Sequence, residues 1–181
     1  KYPKIFVNRY ADMGSTAMCW GFEVGDGWYW LIDNLCHVMQ WHVDNEKENN
    51  ERNKRYNEML KLAKDGDFSK FDEYYKTFAQ KFIDEQKLKV NELNFYEIKE
   101  VYYPIAAQVK QKFGSLRFYI DGGDEIIYNY ISFAEYLSGY ICEQCGTTEN
   151  VGSTQWPAWI LTLCENCAIK SKKIDVWKKN E

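Results

Sequence analysis

Six cysteines occur in the chain, and four of them form two pairs, Cys142-x-x-Cys145 and Cys164-x-x-Cys167, with eighteen residues between the pairs. No other feature constrains the fold as much. Thiolates at this spacing turn toward one point, and two such pairs fill the four positions around a tetrahedral ion. The chain opens Lys1-Tyr2-Pro3-Lys4, with no charged-then-apolar leader. The pairs therefore read as a structural Zn2+ site in a reducing compartment rather than as disulfides or redox motifs. Cys142-Glu143-Gln144-Cys145-Gly146 has the form of a zinc knuckle, with Gly146 permitting the turn. Residues 159–163 are expected as a strand leading to the second pair, and 167–179 as a short helix. Residues 140–181 then make a treble-clef-like or ribbon-like zinc unit ending in a basic tail. With Cys142, Cys145, Cys164 and Cys167 all bound, no coordination position is left for a catalytic water.

The rest of the chain reads as α+β: a small β-hairpin or sheet with packed helices. Gly25-Asp26-Gly27 marks a turn with Asp26 as helix cap. From it Trp28, Leu31, Ile32, Leu35, Cys36 and Met39 fall on one helical face. Residues 105–110 and 116–120 alternate on either side of Lys112-Phe113-Gly114-Ser115, which predicts a hairpin. Its core face is expected to hold Ile105, Ala107 and Val109 opposite Leu116, Phe118 and Ile120. A helix follows with Ile127, Tyr130, Ile131, Ala134 and Leu137 on one stripe, stopped by Gly139. Residues 1–42 and 101–139 thus form the α+β core. Residues 43–100 are charged and nearly balanced, and read as an inserted helical hairpin. Its first helix runs over 44–64. The second starts at Ser69 with a Ser69–Asp72 capping box and a stripe of Phe71, Tyr74, Tyr75, Phe78 and Phe82.

Known catalytic patterns are missing. His37 and His42 are five apart, Cys36 sits on the expected core stripe, and no Gly-x-Ser-x-Gly, phosphate-binding loop or GxGxxG is present. Turn and cap roles account for Asp26, Asp121 and Asp124; a hydrolytic cluster joining them to Asp33 requires the fold to bring them together. The hairpin offers another chemistry. Gln108, Lys110, Arg117 and Tyr119 point away from the core, with Lys112 near the turn. Guanidinium and ammonium groups suit phosphate oxygens, and a phenol ring stacks on a base. Trp28, Trp30, Tyr102 and Tyr103 are candidate walls. The plainer reading makes this a solvated face whose cations pair with the insertion. A net charge of -4 argues against coating duplex DNA and suits a small nucleotide-like ligand. Lys170, Lys172, Lys173, Lys178 and Lys179 form a second basic cluster, which supports an alternative role as a nucleic-acid or protein adaptor.

Several strings together resemble a family of small phage and bacterial proteins: Gly25-Asp26-Gly27-Trp28-Tyr29, Val109-Lys110-x-Lys112-Phe113-Gly114-x-Leu116-Arg117-Phe118-Tyr119, and Cys142-Glu143-x-Cys145-Gly146 with Leu163-Cys164-x-x-Cys167. The resemblance covers residues 20–42 and 101–168, and the 43–100 insertion departs from it. It implies a phage-like origin and, by analogy with counter-defence proteins, a non-enzymatic sponge for a host immune nucleotide. Lys110, Lys112, Arg117, Tyr119, Trp28 and Tyr103 are then the expected ligand contacts. The expected setting is the host cytoplasm. Apolar stretches such as 158–163 are too short for a membrane span, and self-association is left open.

Overall fold

The computed structural model describes residues 1–180 and is α+β, with five helices and two three-stranded sheets. Two compact units divide the chain: Lys1–Val43 with Tyr102–Glu181, and Asp44–Val101. Helix α1, Tyr29–Lys64, starts in the first and continues through the second. The helix expected from Trp28 and the one expected over 44–64 are therefore one continuous helix of 36 residues. Nothing between Tyr29 and Lys64 breaks it, because the stretch contains neither Gly nor Pro. It ends at Asp65-Gly66, where Gly66 adopts φ 93° and the Asp67 N–H bonds back to the Leu62 carbonyl. Among the described residues, no helix is long and apolar enough to cross a membrane.

In the first unit, β1 (Phe22–Glu23) lies parallel to β2 (Ile105–Lys112), which pairs antiparallel with β3 (Ser115–Asp121). The β2–β3 turn places Phe113 at φ 52° and Gly114 at φ 78°. Both central residues are left-handed, as a two-residue turn matched to strand twist requires. The expected core face of β2 needs correction. Ala106 and Val109 are the fully buried residues, while Ile105 and Ala107 are only half-buried. A bulge between Ala106 and Gln108 inserts one residue and breaks the simple alternation. On β3 the expected face holds, with Leu116 and Phe118 buried.

Helix α4 (Glu125–Ser138) packs on β3 and completes its outer edge. The Leu116 N–H donates to Ser138 Oγ at 2.9 Å and the Phe118 N–H to Glu135 Oε1 at 3.0 Å. Two edge donors that would otherwise face water or another strand are satisfied by side chains. Asp124 caps α4 through its Oδ1 and the Ile127 N–H, and its Oδ2 lies 2.7 Å from Nε2 of the buried His42. Gly139 ends the helix in right-handed conformation, φ -67°, so it stops α4 without a left-handed cap. A second sheet, in the order β5-β4-β6, joins Thr162–Cys164, Val151–Thr154 and Trp177–Lys179. Between β5 and β6, α5 covers Glu165–Lys170. The expected helix over 167–179 therefore ends at Lys170, and of the basic tail only Trp177–Lys179 forms a strand, paired with β4.

The second unit packs α2 (Ser69–Tyr75) and α3 (Gln80–Leu88) with the C-terminal part of α1 around Tyr56, Met59, Leu60, Ala63, Phe71, Ile83 and Val90. The single second helix expected from Ser69 is thus two short ones. The capping box is not formed: the Ser69 N–H is bonded by Asp67 Oδ1 at 2.9 Å. Residues 93–101 return without regular secondary structure, and the polar stripe of α1 holds them. Asn57 Nδ2 donates to the Tyr96 carbonyl and its Oδ1 accepts the Tyr96 N–H, both at 2.8 Å. Asn50 treats Lys99 the same way, at 2.7 and 3.1 Å, and Asn53 reaches the Glu97 carbonyl at 3.2 Å. A carboxamide has the donor and acceptor of a peptide group, so these side chains replace a neighbouring strand.

Two expectations follow. Asn57→Ala removes both bonds to Tyr96 and should destabilise the protein by about 1–2 kcal/mol in urea unfolding. At Asp124, partial burial opposes ionisation, but hydrogen bonds from His42 and the Ile127 N–H outweigh it and hold the carboxyl below its usual range. Its stabilising contribution is therefore present above about pH 4 and is lost as pH falls through the lowered value. Asp124→Asn should flatten the decline of urea midpoint between about pH 4 and pH 2.

Candidate metal centre and adjoining pocket

The four paired cysteines converge. One sulfur from each of Cys142, Cys145, Cys164 and Cys167 lies within 4.8 Å of the others, and the Cys145 and Cys164 sulfurs are 3.7 Å apart. Four sulfurs at about 2.3 Å from a shared ion stand roughly 3.8 Å from one another, so the cluster has the dimensions to hold a metal ion. Local structure sets this geometry. In the first pair the Gly146 N–H bonds to the Cys142 carbonyl and the Cys142 N–H to the Thr147 carbonyl, both at 2.8 Å. In the second pair Cys164 caps α5, and its sulfur accepts from the Cys167 N–H at 3.4 Å. A knuckle, a β-hairpin and a helix start carrying the second pair make up a treble-clef-like arrangement. Burial opposes ionisation of Cys142, yet backbone hydrogen bonds at Cys164, Cys145 and Gln144 outweigh it and hold the thiol below its usual range. Among the described residues, no other group of three or more His, Cys, Asp or Glu is arranged to share an ion.

The Gly25-Asp26-Gly27-Trp28 string has a different role from the one its composition suggests. Asp26 makes no side-chain cap. The segment instead lies flat against the knuckle. The Gly27 N–H donates to the Glu143 carbonyl at 2.8 Å, the Gly25 N–H to Glu143 Oε1 at 3.1 Å, and Trp28 Nε1 to the Ile141 carbonyl at 2.8 Å. A Cβ on Gly27 would stand 2.2 Å from the Cys142 carbonyl oxygen and 2.4 Å from the Gly146 nitrogen. A Cβ on Gly25 would stand 2.4 Å from the Glu143 carbonyl oxygen. Only glycine allows this approach of two backbones.

Beside the centre, the hairpin tip meets the loop before β5. Gln111 Oε1 accepts from Trp159 Nε1 at 3.2 Å, its Nε2 donates to the Ile160 carbonyl, and Thr162 Oγ1 donates to the Gly114 carbonyl. Between the two elements lies a cavity of about 680 Å³ walled by Glu23, Lys110, Lys112, Phe113, Trp156 and Trp159, among others. Phe113, Trp156 and Trp159 are 71%, 84% and 69% exposed. The Lys110 ammonium lies 5.7 Å from the Tyr119 ring centre and that of Lys112 lies 5.7 Å from Phe113. No described carboxylate is within ion-pair distance of either lysine.

The expected ligand residues therefore separate. Lys110 and Lys112 share the cavity wall. Arg117 stands opposite Lys110 on the same face, but its guanidinium is held by Glu135 Oε2 at 3.4 Å and the Leu116 carbonyl at 2.7 Å. Tyr119 borders Lys110 without lining the cavity. Trp28 is fully buried and bonded to the knuckle, so it is a core residue and not a ligand wall. Tyr103 lies at the far end of β2, where its hydroxyl accepts from Lys4 Nζ at 2.8 Å. Trp30 lies in a separate apolar groove with Val38 and Phe133. The acids do not gather: Asp33 pairs with Lys1 and Asp124 with His42. Burial pushes the Cys36 thiol up to about 12, which leaves it protonated and unreactive near neutrality. Sequence reasoning missed Phe113, Trp156, Trp159 and Glu23. Two tryptophans flanking Pro157 in a loop were the available signal.

No family model, curated protein or solved structure matches the chain.

The knuckle contact is directly testable. Gly27→Ala should lower unfolding stability by about 3 kcal/mol, because backbone atoms on both sides must move. The same variant should expose the paired cysteines to a colorimetric thiol reagent faster than wild type.

Proposed function

We propose that the chain is a zinc-stabilised binding protein that captures a nucleotide-like phosphorylated ligand without converting it. The observation that carries this reading is the cavity wall, in which two lysines, neither in ion-pair contact with the Glu23 and Glu143 that share the wall, stand beside three open aromatic rings. Rings offer stacking surface to a base, and ammonium groups offer point charges to phosphate. A volume of about 680 Å³ suits a small ligand better than a polymer. Zn2+ fits the four-sulfur set because it accepts tetrahedral thiolates and leaves no open position for chemistry. In this reading Cys142, Cys145, Cys164 and Cys167 hold the ion, and its contribution is structural. The resemblance to small phage proteins extends the proposal to a host immune nucleotide held in the host cytoplasm.

The test is to incubate the protein with a panel of cyclic and linear nucleotides, then assay the free and the heat-released fractions. Uptake with intact release supports capture. Altered product supports a hydrolase, and no uptake supports the adaptor role of the C-terminal lysines. Lys112→Ala and Trp159→Ala should each weaken binding about tenfold or more in calorimetry. Arg117→Ala should lower stability while leaving affinity near that of wild type, since its partner is Glu135. Elemental analysis should find one zinc per chain, and a chelator should unfold the first unit.

A further inference from the structure

We propose that Glu23 acts as a charge filter, setting the pocket for a ligand with a single phosphodiester charge and disfavouring polyphosphates. This rests on the reading of the cavity as a nucleotide site. The strand register places Glu23 on β1, Lys110 on β2 and Arg117 on β3 in one row across the sheet. Glu135 from α4 answers Arg117 at the far end. Two cations are thus flanked by two carboxylates, and the row is neutral overall. Lys112 lies one step further along the same face, opposite the uncharged Ser115. It is the one cation of the wall with no carboxylate in its own row, and Glu143 is the second acidic residue of the wall.

Glu23 is exposed on the edge strand, where one side-chain hydrogen bond orients its carboxylate. Its Oε2 accepts from Gln108 Nε2 at 3.0 Å, and its backbone is paired to β2. Neighbouring strands lie about 5 Å apart, so the carboxylate stands beside Lys110 on the cavity wall without closing an ion pair with it. A phosphodiester carries one charge, which Lys110 and Lys112 satisfy. A triphosphate carries about four, and Glu23 lies within a Debye length of every one of them. Phe113, Trp156 and Trp159 supply apolar walls that favour a weakly hydrated ligand over a highly charged one.

The experiment is calorimetric titration of the full chain with the 3′,5′-cyclic nucleotide, the 5′-monophosphate and the 5′-triphosphate of adenine and of guanine, at one salt concentration. The cyclic form should bind at least about tenfold tighter than the triphosphate of the same base, and Glu23→Gln should narrow that ratio about fivefold. A triphosphate that binds as tightly as the cyclic form overturns the filter, as does a ratio unchanged by Glu23→Gln. Absence of binding by all six overturns the nucleotide reading of the pocket itself, and the filter with it.

Discussion

The rest of the first unit depends on the contact between the Gly25-Asp26-Gly27 backbone and the Cys142–Gly146 knuckle. Segments more than a hundred residues apart approach closely enough to exclude a single Cβ. The contact does three things at once. It satisfies the Gly25 and Gly27 N–H groups, it seats the buried Trp28 indole on the Ile141 carbonyl, and it fixes the starting point of α1. Cys142, Cys164 and Cys167 are themselves buried in an apolar cluster with Val151, Leu163 and Ala168, against which Leu161 and Trp177 pack. The ion proposed for the four sulfurs adds its rigidity to that burial.

The cavity is a consequence of the same construction. The four-cysteine unit carries the loop with Trp156 and Trp159, and the hairpin carries Lys110, Lys112 and Phe113. Gln111 and Thr162 tie the two together through hydrogen bonds to backbone and indole. Neither element forms the pocket alone. The left-handed turn at Phe113-Gly114 contributes by turning a large ring outward at the hairpin tip, where the core cannot take it. The aromatic residues, 17% of the chain, therefore have at least three uses. Trp28 and Phe71 are core, the rings from Tyr74 to Phe82 pack on one another in the second unit, edge to face except for the stacked Phe78–Phe82 pair, and Phe113, Trp156 and Trp159 remain open.

Much of this was legible in the sequence. The Cys-x-x-Cys spacing announced the four-cysteine cluster, which could hold a metal ion, because side-chain spacing maps directly onto coordination geometry. The hairpin and α4 followed from periodicity, because their faces are amphipathic. Three features were hidden for physical reasons. The bulge at Ala107 is invisible to a period-two pattern, since one inserted residue shifts every later side chain. Gly25 and Gly27 look like turn residues in isolation; that they admit another backbone shows only once residue 143 is placed beside them. The stripe Asn50, Asn53 and Asn57 looks like a solvated face, yet it binds the returning segment through peptide-like hydrogen bonds that hydropathy does not register. In the ligand face, residue type was readable, but partnership was not: Arg117 and Lys110 look alike until Glu135 claims one of them.

The most direct measurement of the account is residue-resolved hydrogen exchange with and without a strong zinc chelator. If the metal centre holds the knuckle contact, chelation should abolish protection at the Gly27 amide and the Trp28 indole N–H together with that at Cys142 and Gly146. Protection at Gly27 and Trp28 that persists unchanged after the cysteine cluster has lost its ion would contradict the claim that the first unit is organised around that centre.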